Sequence, residues 1–126
     1  MKFSYDTAYF PPAPSIDIQL GLPDESFAVG PLPAFVDTGA DVSVVPIKYV
    51  EPLGVQVDNR KYLRSQWGER RKVNTYLLDI GIGVLRLPMV EIIGDERGKE
   101  VILGRNVLNK LVVTLNGPQH VLEITG

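Results

Sequence analysis

Short apolar runs rich in Val, Ile, Leu and Tyr recur along the chain, cut apart by ten prolines and twelve glycines, the pattern of short strands joined by turns. Ser15 to Leu20 alternates Ile16 and Ile18 with Asp17 and Gln19, which predicts a half-buried strand. Pro33 to Val36 and Val42 to Val45 are further strands, separated by the turn-like Asp37-Thr38-Gly39-Ala40-Asp41. Pro46 suits the first turn of a brief helix through Ile47, Tyr49, Val50 and Leu53, ended by Gly54. Arg60 to Asp79 predicts two strands around a turn at Trp67-Gly68. Gly83 to Ile93 is another strand, Gly94 to Gly98 a polar turn, and Val101-Ile102-Leu103 a fully apolar short strand closed by Gly104. Val107, Leu108 and Leu111 fall at helical spacing, and Leu111 to Leu115 with Val121 to Ile124 form a final hairpin around Asn116 to His120. Three prolines between Ala8 and Pro14 mark residues 1–14 as an extended lead-in arm. The pattern predicts one all-β, barrel-like domain over residues 1–126, with one short helix near its end and no linker or internal repeat.

Composition narrows the chemistry. The chain has 126 residues, no cysteine and one histidine. Disulfide frameworks, thiolate metal sites and cysteine nucleophiles are therefore excluded, as is a zinc site built on several histidines of one chain. Any catalysis must rest on carboxylates, hydroxyls, lysines or backbone groups. The net charge is −2, which gives no global attraction to nucleic acid or to an anionic membrane. Charge is nonetheless uneven: Arg60, Lys61, Arg64, Arg70, Arg71 and Lys72 face only Glu69 within residues 59–72, so this stretch carries 6 − 1 = +5 and the remainder −7. No apolar run reaches the roughly 20 residues that span a bilayer, and residues 1–6 lack a signal-peptide core, so the expected compartment is cytoplasmic.

The most informative stretch is Phe35-Val36-Asp37-Thr38-Gly39-Ala40-Asp41. An acid leaves an apolar strand and enters a Thr-Gly turn, where burial and backbone donors control its proton affinity. Asp-Thr-Gly alone is a weak signal, and the competing reading is a β-turn in which Asp37 only caps its own backbone. A second block follows about 65 residues later, a spacing compatible with one small domain: Val101-Ile102-Leu103-Gly104-Arg105-Asn106-Val107-Leu108, continuing to Thr114-Leu115-Asn116. With both blocks in this order, the chain resembles the retropepsin-like aspartic peptidases, the family of retroviral proteases and their cellular relatives.

The resemblance implies a retropepsin-like closed barrel with one short C-terminal helix, and an aspartic endopeptidase without cofactor or metal. Two carboxylates about 3 Å apart share one proton, so one can activate water while the other donates. The chain has a single Asp-Thr-Gly, so the resemblance implies a homodimer in which Asp37 meets Asp37 of a second chain on the two-fold axis. Within it Asp37 is the catalytic acid/base, Thr38 braces the two loops across the axis, and Gly39 bends the turn and leaves its carbonyl near the substrate. Ala40 and Asp41 lie beside the peptide substrate, and Asp41 pairs with Arg105 in a structural ion pair. Some relatives carry Ser at the position of Ala40, and its absence implies a somewhat higher working pH.

The sequence also departs from the family. The hairpin that covers substrate corresponds to Tyr62 to Tyr76, which holds only Gly68 as glycine, beside Trp67 and among cations. Trp67 and Gly68 are the candidate substrate contacts there: either the cations select acidic side chains or Trp67 covers an apolar subsite, and the competing reading is a charged, solvated hairpin that does not close, with Trp67 packed on the core. Retroviral monomers finish near the position of Asn116, whereas this chain continues into Val121 to Ile124, a strand that pairs within its own subunit or extends an intersubunit sheet. Gly81-Ile82-Gly83 lacks the third glycine of a dinucleotide fingerprint, and Ser43 and Ser65 have no histidine partner in any motif. A second expectation is a non-catalytic retropepsin-like module that binds peptides or dimerises. A nucleic-acid-binding barrel rests only on the basic hairpin and is not expected.

Overall fold

The structure, a computed structural model, describes residues 1–64 and 67–125; Ser65 and Gln66, within the hairpin anticipated from sequence, and Gly126 lie outside the described residues. Among the described residues, ten strands and two short α-helices follow in the order β1 (Lys2–Ser4), β2 (Ser15–Gly21), β3 (Val29–Val36), β4 (Ser43–Pro46), α1 (Ile47–Val50), β5 (Asn59–Arg64), β6 (Arg70–Ile82), β7 (Leu85–Asp95), β8 (Val101–Leu103), α2 (Arg105–Leu108), β9 (Val112–Asn116) and β10 (Val121–Thr125). A 3₁₀ turn, Glu51–Leu53, prolongs α1 and ends at Gly54, whose φ of 67° is the left-handed conformation a helix stop requires.

Six strands close on themselves in the order β2-β3-β8-β4-β7-β6, with β6 returning to β2 through Leu20↔Ile80 and its neighbours. Closure removes the open edges that invite other strands. β5 hangs outside this ring, paired only with β6 as an antiparallel ribbon. Two pairings are parallel, β3 with β8 and β4 with β7. They place the ends of β3 and β8 side by side, at Val36 and Leu103. Ile16, Ile18, Leu20, Leu78, Ile80, Ile92 and Leu103 fill the interior with no exposed surface, each contributing roughly 1.5–3 kcal/mol by burial.

The ends of the chain form a second sheet in the order β1-β10-β9. Residues 1–14, expected as an extended arm, contain β1, which pairs with β10 of its own chain, and a loop closed by mutual backbone bonds between Asp6 and Ala13. The Met1 amino group donates to the Ile124 carbonyl at 2.8 Å. The extra strand Val121–Thr125 thus pairs within its own subunit on both sides. β3 begins at Val29, four residues before the Pro33 expected from sequence. Its early part carries Pro31 and Pro33 and pairs only with β2, since β8 joins at Ala34. Proline is tolerated there because one side of the strand has no ladder to complete.

Candidate active site

The parallel ends of β3 and β8 create the site. The Asp37 N–H donates to the Leu103 carbonyl at 3.0 Å, and the Ala40 N–H to the Asp37 carbonyl at 3.2 Å, so the chain turns sharply on leaving β3. Oδ1 of Asp37 accepts the Gly39 N–H at 2.9 Å. Asp37, Thr38, Gly39 and Asp41 are exposed and Ala40 is half-buried. The Asp37 side chain therefore does fold back on its own turn, and yet its carboxylate stays open to solvent.

The second block clamps this turn from beneath. Gly104 sits so close that a Cβ there would lie 2.8 Å from the Ala40 carbonyl oxygen and 2.8 Å from the Val42 carbonyl carbon. Both neighbours are backbone, so only glycine fits this approach. The Arg105 N–H donates to the Ala40 carbonyl at 2.8 Å, and the Asn106 N–H to the Asp41 carbonyl at 3.3 Å. Arg105 Nη1 donates to the Thr38 carbonyl at 2.7 Å, and its Nη2 bonds Oδ1 of Asp41. This ion pair lies at the surface, with the two side chains 45% and 81% exposed. One arginine thus ties Thr38, Ala40 and Asp41 together.

A buried polar net, invisible in the sequence motifs, lies under these contacts. Asn106 Oδ1 accepts both the N–H and the hydroxyl of Ser43, at 3.0 and 2.9 Å. The Ser43 oxygen in turn accepts the Gly104 N–H at 2.9 Å, and Asn106 Nδ2 donates to the Glu91 carbonyl at 2.7 Å. Ser43 has no exposed surface. This one amide joins β4 and β7 to the start of α2, and the Asn106 backbone N–H holds the Asp37 loop at Asp41. Ser43 is a brace here, and the only sequence hint is a hydroxyl on the inward side of Ser43-Val44-Val45.

Trp67 and Gly68 belong to a different element, the β5–β6 turn, where Gly68 takes a φ of 82°. Trp67 is 80% exposed, so it does not pack into the core. The hairpin base is fastened by Lys61 to Glu91 at 2.8 Å and Arg71 to Asp95 at 3.2 Å. Asp95 is held below the ordinary carboxyl range: burial pushes it up, but the Arg97 and Gly98 N–H groups and Arg71 more than offset this. Among the described residues no group of three or more acids and histidines is placed to hold a metal ion, and no helix is long and apolar enough to cross a membrane.

A closed barrel carrying an Asp-Thr-Gly turn clamped by a Gly-Arg-Asn segment defines a single-lobed acid-protease fold. Residues 27–110 match the model of the family described as "gag-polyprotein putative aspartyl protease", and the chain belongs to that family. None of the curated proteins matches it. Among solved structures it is similar to a retropepsin-like aspartic protease from Rickettsia conorii, with a TM-score of 0.67 and 16% identity over 98% of this chain and 88% of that one. It is also similar to the retroviral protease-like domain of Ddi1 from Leishmania major (TM-score 0.52, 17% identity, 90% of each chain). EIAV protease, solved with the inhibitor HBY-793, matches at a TM-score of 0.51 and 18% identity over 78% of this chain and 86% of that one. These likenesses establish the retropepsin-like fold.

Proposed function

We propose that the chain is an aspartic endopeptidase acting as a homodimer, with Asp37 of each copy forming the catalytic pair. The observation that carries this reading is the solvent-open Asp37 carboxylate on a turn whose backbone is bonded to Leu103 and Arg105. An acid needed only to cap its own turn has no use for such a brace, whereas a general acid/base must be held in place and left accessible. Each chain supplies one such acid, so a pair requires a second copy.

In the paired site one Asp37 is ionised and its mate protonated. The ionised carboxylate takes a proton from water as the water oxygen bonds to the peptide carbonyl carbon, while the mate donates its proton to the carbonyl oxygen. The resulting diol collapses as one hydroxyl returns its proton to the mate and re-forms the carbonyl, the C–N bond breaks, and the amine leaves with a proton from the carboxyl that had accepted one. Protons and electron pairs balance within the pair and one water. Thr38 and Gly39 position the two turns, Ala40 and Asp41 flank the substrate backbone, and Trp67 and Gly68 cover it from the hairpin tip.

The test is cleavage of an unfolded protein or a peptide library from about pH 4 to 7. Asp37→Asn is expected to lower kcat/KM about 10³-fold or more. Specific activity is expected to rise with protein concentration as dimers form. Cleavage that survives the substitution, or full activity from a strictly monomeric protein in sedimentation, overturns the reading. Peptide binding by the wild type with no turnover supports the non-catalytic module instead.

A further inference from the structure

The two faces of the β5–β6 ribbon are treated differently. Directly opposed residues share a face, so Lys61↔Val73 and Leu63↔Arg71 lie on one side and Arg60↔Asn74, Tyr62↔Lys72 and Arg64↔Arg70 on the other. On the first face the cations have acids: Lys61 meets Glu91 and Arg71 meets Asp95. On the second, Arg64 stands directly across from Arg70, a like-charge pairing that destabilises a ribbon, and Arg70 is stacked over the Tyr62 ring at 4.7 Å. The ribbon leads into a groove of about 420 Å³ whose lining includes Arg60, Lys72 and Asn74 of the second face, Arg71 of the first, and Arg97 and the buried Tyr76. Glu96 is the one acid lining it. With Arg71 engaged by Asp95, the side chains of Arg60, Lys72 and Arg97 remain as exposed cations without an ion-pair partner among the described residues.

We propose that this groove binds a carboxylate-rich polypeptide segment; the assignment as an acidic stretch of the substrate rests on the peptidase reading above, the binding itself does not. Guanidinium forks match carboxylates in pairs, and Asn74 adds a neutral donor. Convergence of the cations on one concavity favours side-chain carboxylates over a nucleic-acid backbone, which needs a row of phosphate contacts along an extended track. The groove also shares its support with the candidate catalytic turn: Gly94 lies in β7, two residues beyond Ile92, which pairs with Ser43.

Binding is measured on the Asp37→Asn protein, so that no probe is consumed, with a fluorescently labelled peptide alternating Glu and Ser and its Gln/Ser counterpart. The acidic peptide is expected to bind at least about tenfold tighter than the neutral one, and the triple variant Arg60→Gln/Lys72→Gln/Arg97→Gln to lose about tenfold or more. Lys61→Gln, which removes one charge from the opposite face, is expected to change affinity by less than about twofold. All the substituted residues are exposed, and an unchanged melting curve shows that each variant folds. Equal binding of both peptides, an unaffected triple variant, or tighter binding of a single-stranded oligonucleotide of equal charge overturns the assignment. Salt-sensitive binding of the acidic peptide with no turnover by the wild type leaves the groove assigned and sinks the peptidase reading. Turnover of acidic and neutral substrates alike, unchanged in the triple variant, does the reverse.

Discussion

Of the aspartates that accept backbone N–H groups, Asp37 and Asp79 are put to opposite uses by their surroundings. Asp37 stands at the end of β3, exposed, with Oδ1 on the Gly39 N–H. Asp79 stands in the middle of β6 with no exposed surface. Its Oδ1 accepts the Met89 N–H at 2.8 Å, and its Oδ2 accepts the Asp24 N–H at 3.0 Å and Arg86 Nε at 2.8 Å. Arg86 in turn lies over the Phe27 ring at 4.4 Å and reaches the carbonyls of Leu22 and Glu25, so Asp79 fastens the whole loop between β2 and β3. A carboxylate ringed by donors has no room for water or substrate. One left open at a braced turn can exchange protons with both, and the comparison separates an acid that holds the fold from one that is available for chemistry.

The largest expected effect breaks this contrast at the buried end. Asp79→Ala leaves two backbone N–H groups and a guanidinium without their acceptor and is expected to destabilise the fold by about 3–5 kcal/mol. Asp37→Ala, at an exposed turn, is expected to change stability by about 0.5 kcal/mol or less, and denaturant unfolding of the two variants checks the pair. Acid sharpens the same point. Burial pushes the Asp79 carboxyl up, but the Met89 and Asp24 N–H groups and Arg86 more than offset this and hold it below its ordinary 3.8. Because the folded-state value is the lower one, its contribution is complete above the unfolded value and is lost as pH falls through the folded one. Unfolding free energy is therefore expected to decline below about pH 4. In Asp79→Asn the decline is expected to be shallower but present, because Asp95 is depressed in the same direction.

Asp37 was legible in the sequence because its turn is local: strand, acid, Thr-Gly and a second strand lie within ten residues. The strands other than β1, which fell in the expected extended arm, and the two short helical turns were legible for the same reason. Asp79 was not singled out, although an acid inside Tyr76-Leu77-Leu78-Asp79-Ile80-Gly81-Ile82 is itself a sign of a buried, partnered charge. Its partners come from Asp24, 55 residues away, and from Met89 and Arg86 across a strand turn, pairings that no periodicity encodes. The roles of Ser43 and Asn106 depend likewise on β4 and α2 meeting across 63 residues. The full length of β3 was hidden by Pro31 and Pro33, which argue against a strand until the missing neighbour on one side is known.

Between the two extremes lies the amide beneath the turn. Asn106→Ala removes the acceptor for the Ser43 N–H and hydroxyl and the donor to the Glu91 carbonyl. A loss of about 2 kcal/mol in stability is expected, since buried polar groups are left without partners. If the net positions Asp37, kcat is expected to fall about tenfold at little change in KM, a split that steady-state kinetics on the folded variant resolves. A variant that loses stability alone shows that the brace serves the fold and not the site.

Among the side chains that brace the turn, the smaller effect is expected at Arg105, although it makes the most conspicuous contact with it. Its pair with Asp41 is solvent-exposed on both sides, and such pairs contribute about 1 kcal/mol or less and weaken with salt. Arg105→Gln keeps the backbone bond to the Ala40 carbonyl and retains a side-chain donor for the Thr38 carbonyl. Denaturant unfolding at low and high salt is expected to show a loss of about 1 kcal/mol or less at low salt and a smaller one at high salt. A loss larger than that of Asn106→Ala, and insensitive to salt, reverses the order argued here: the turn is then held from its charged surface, and the buried amide net merely follows.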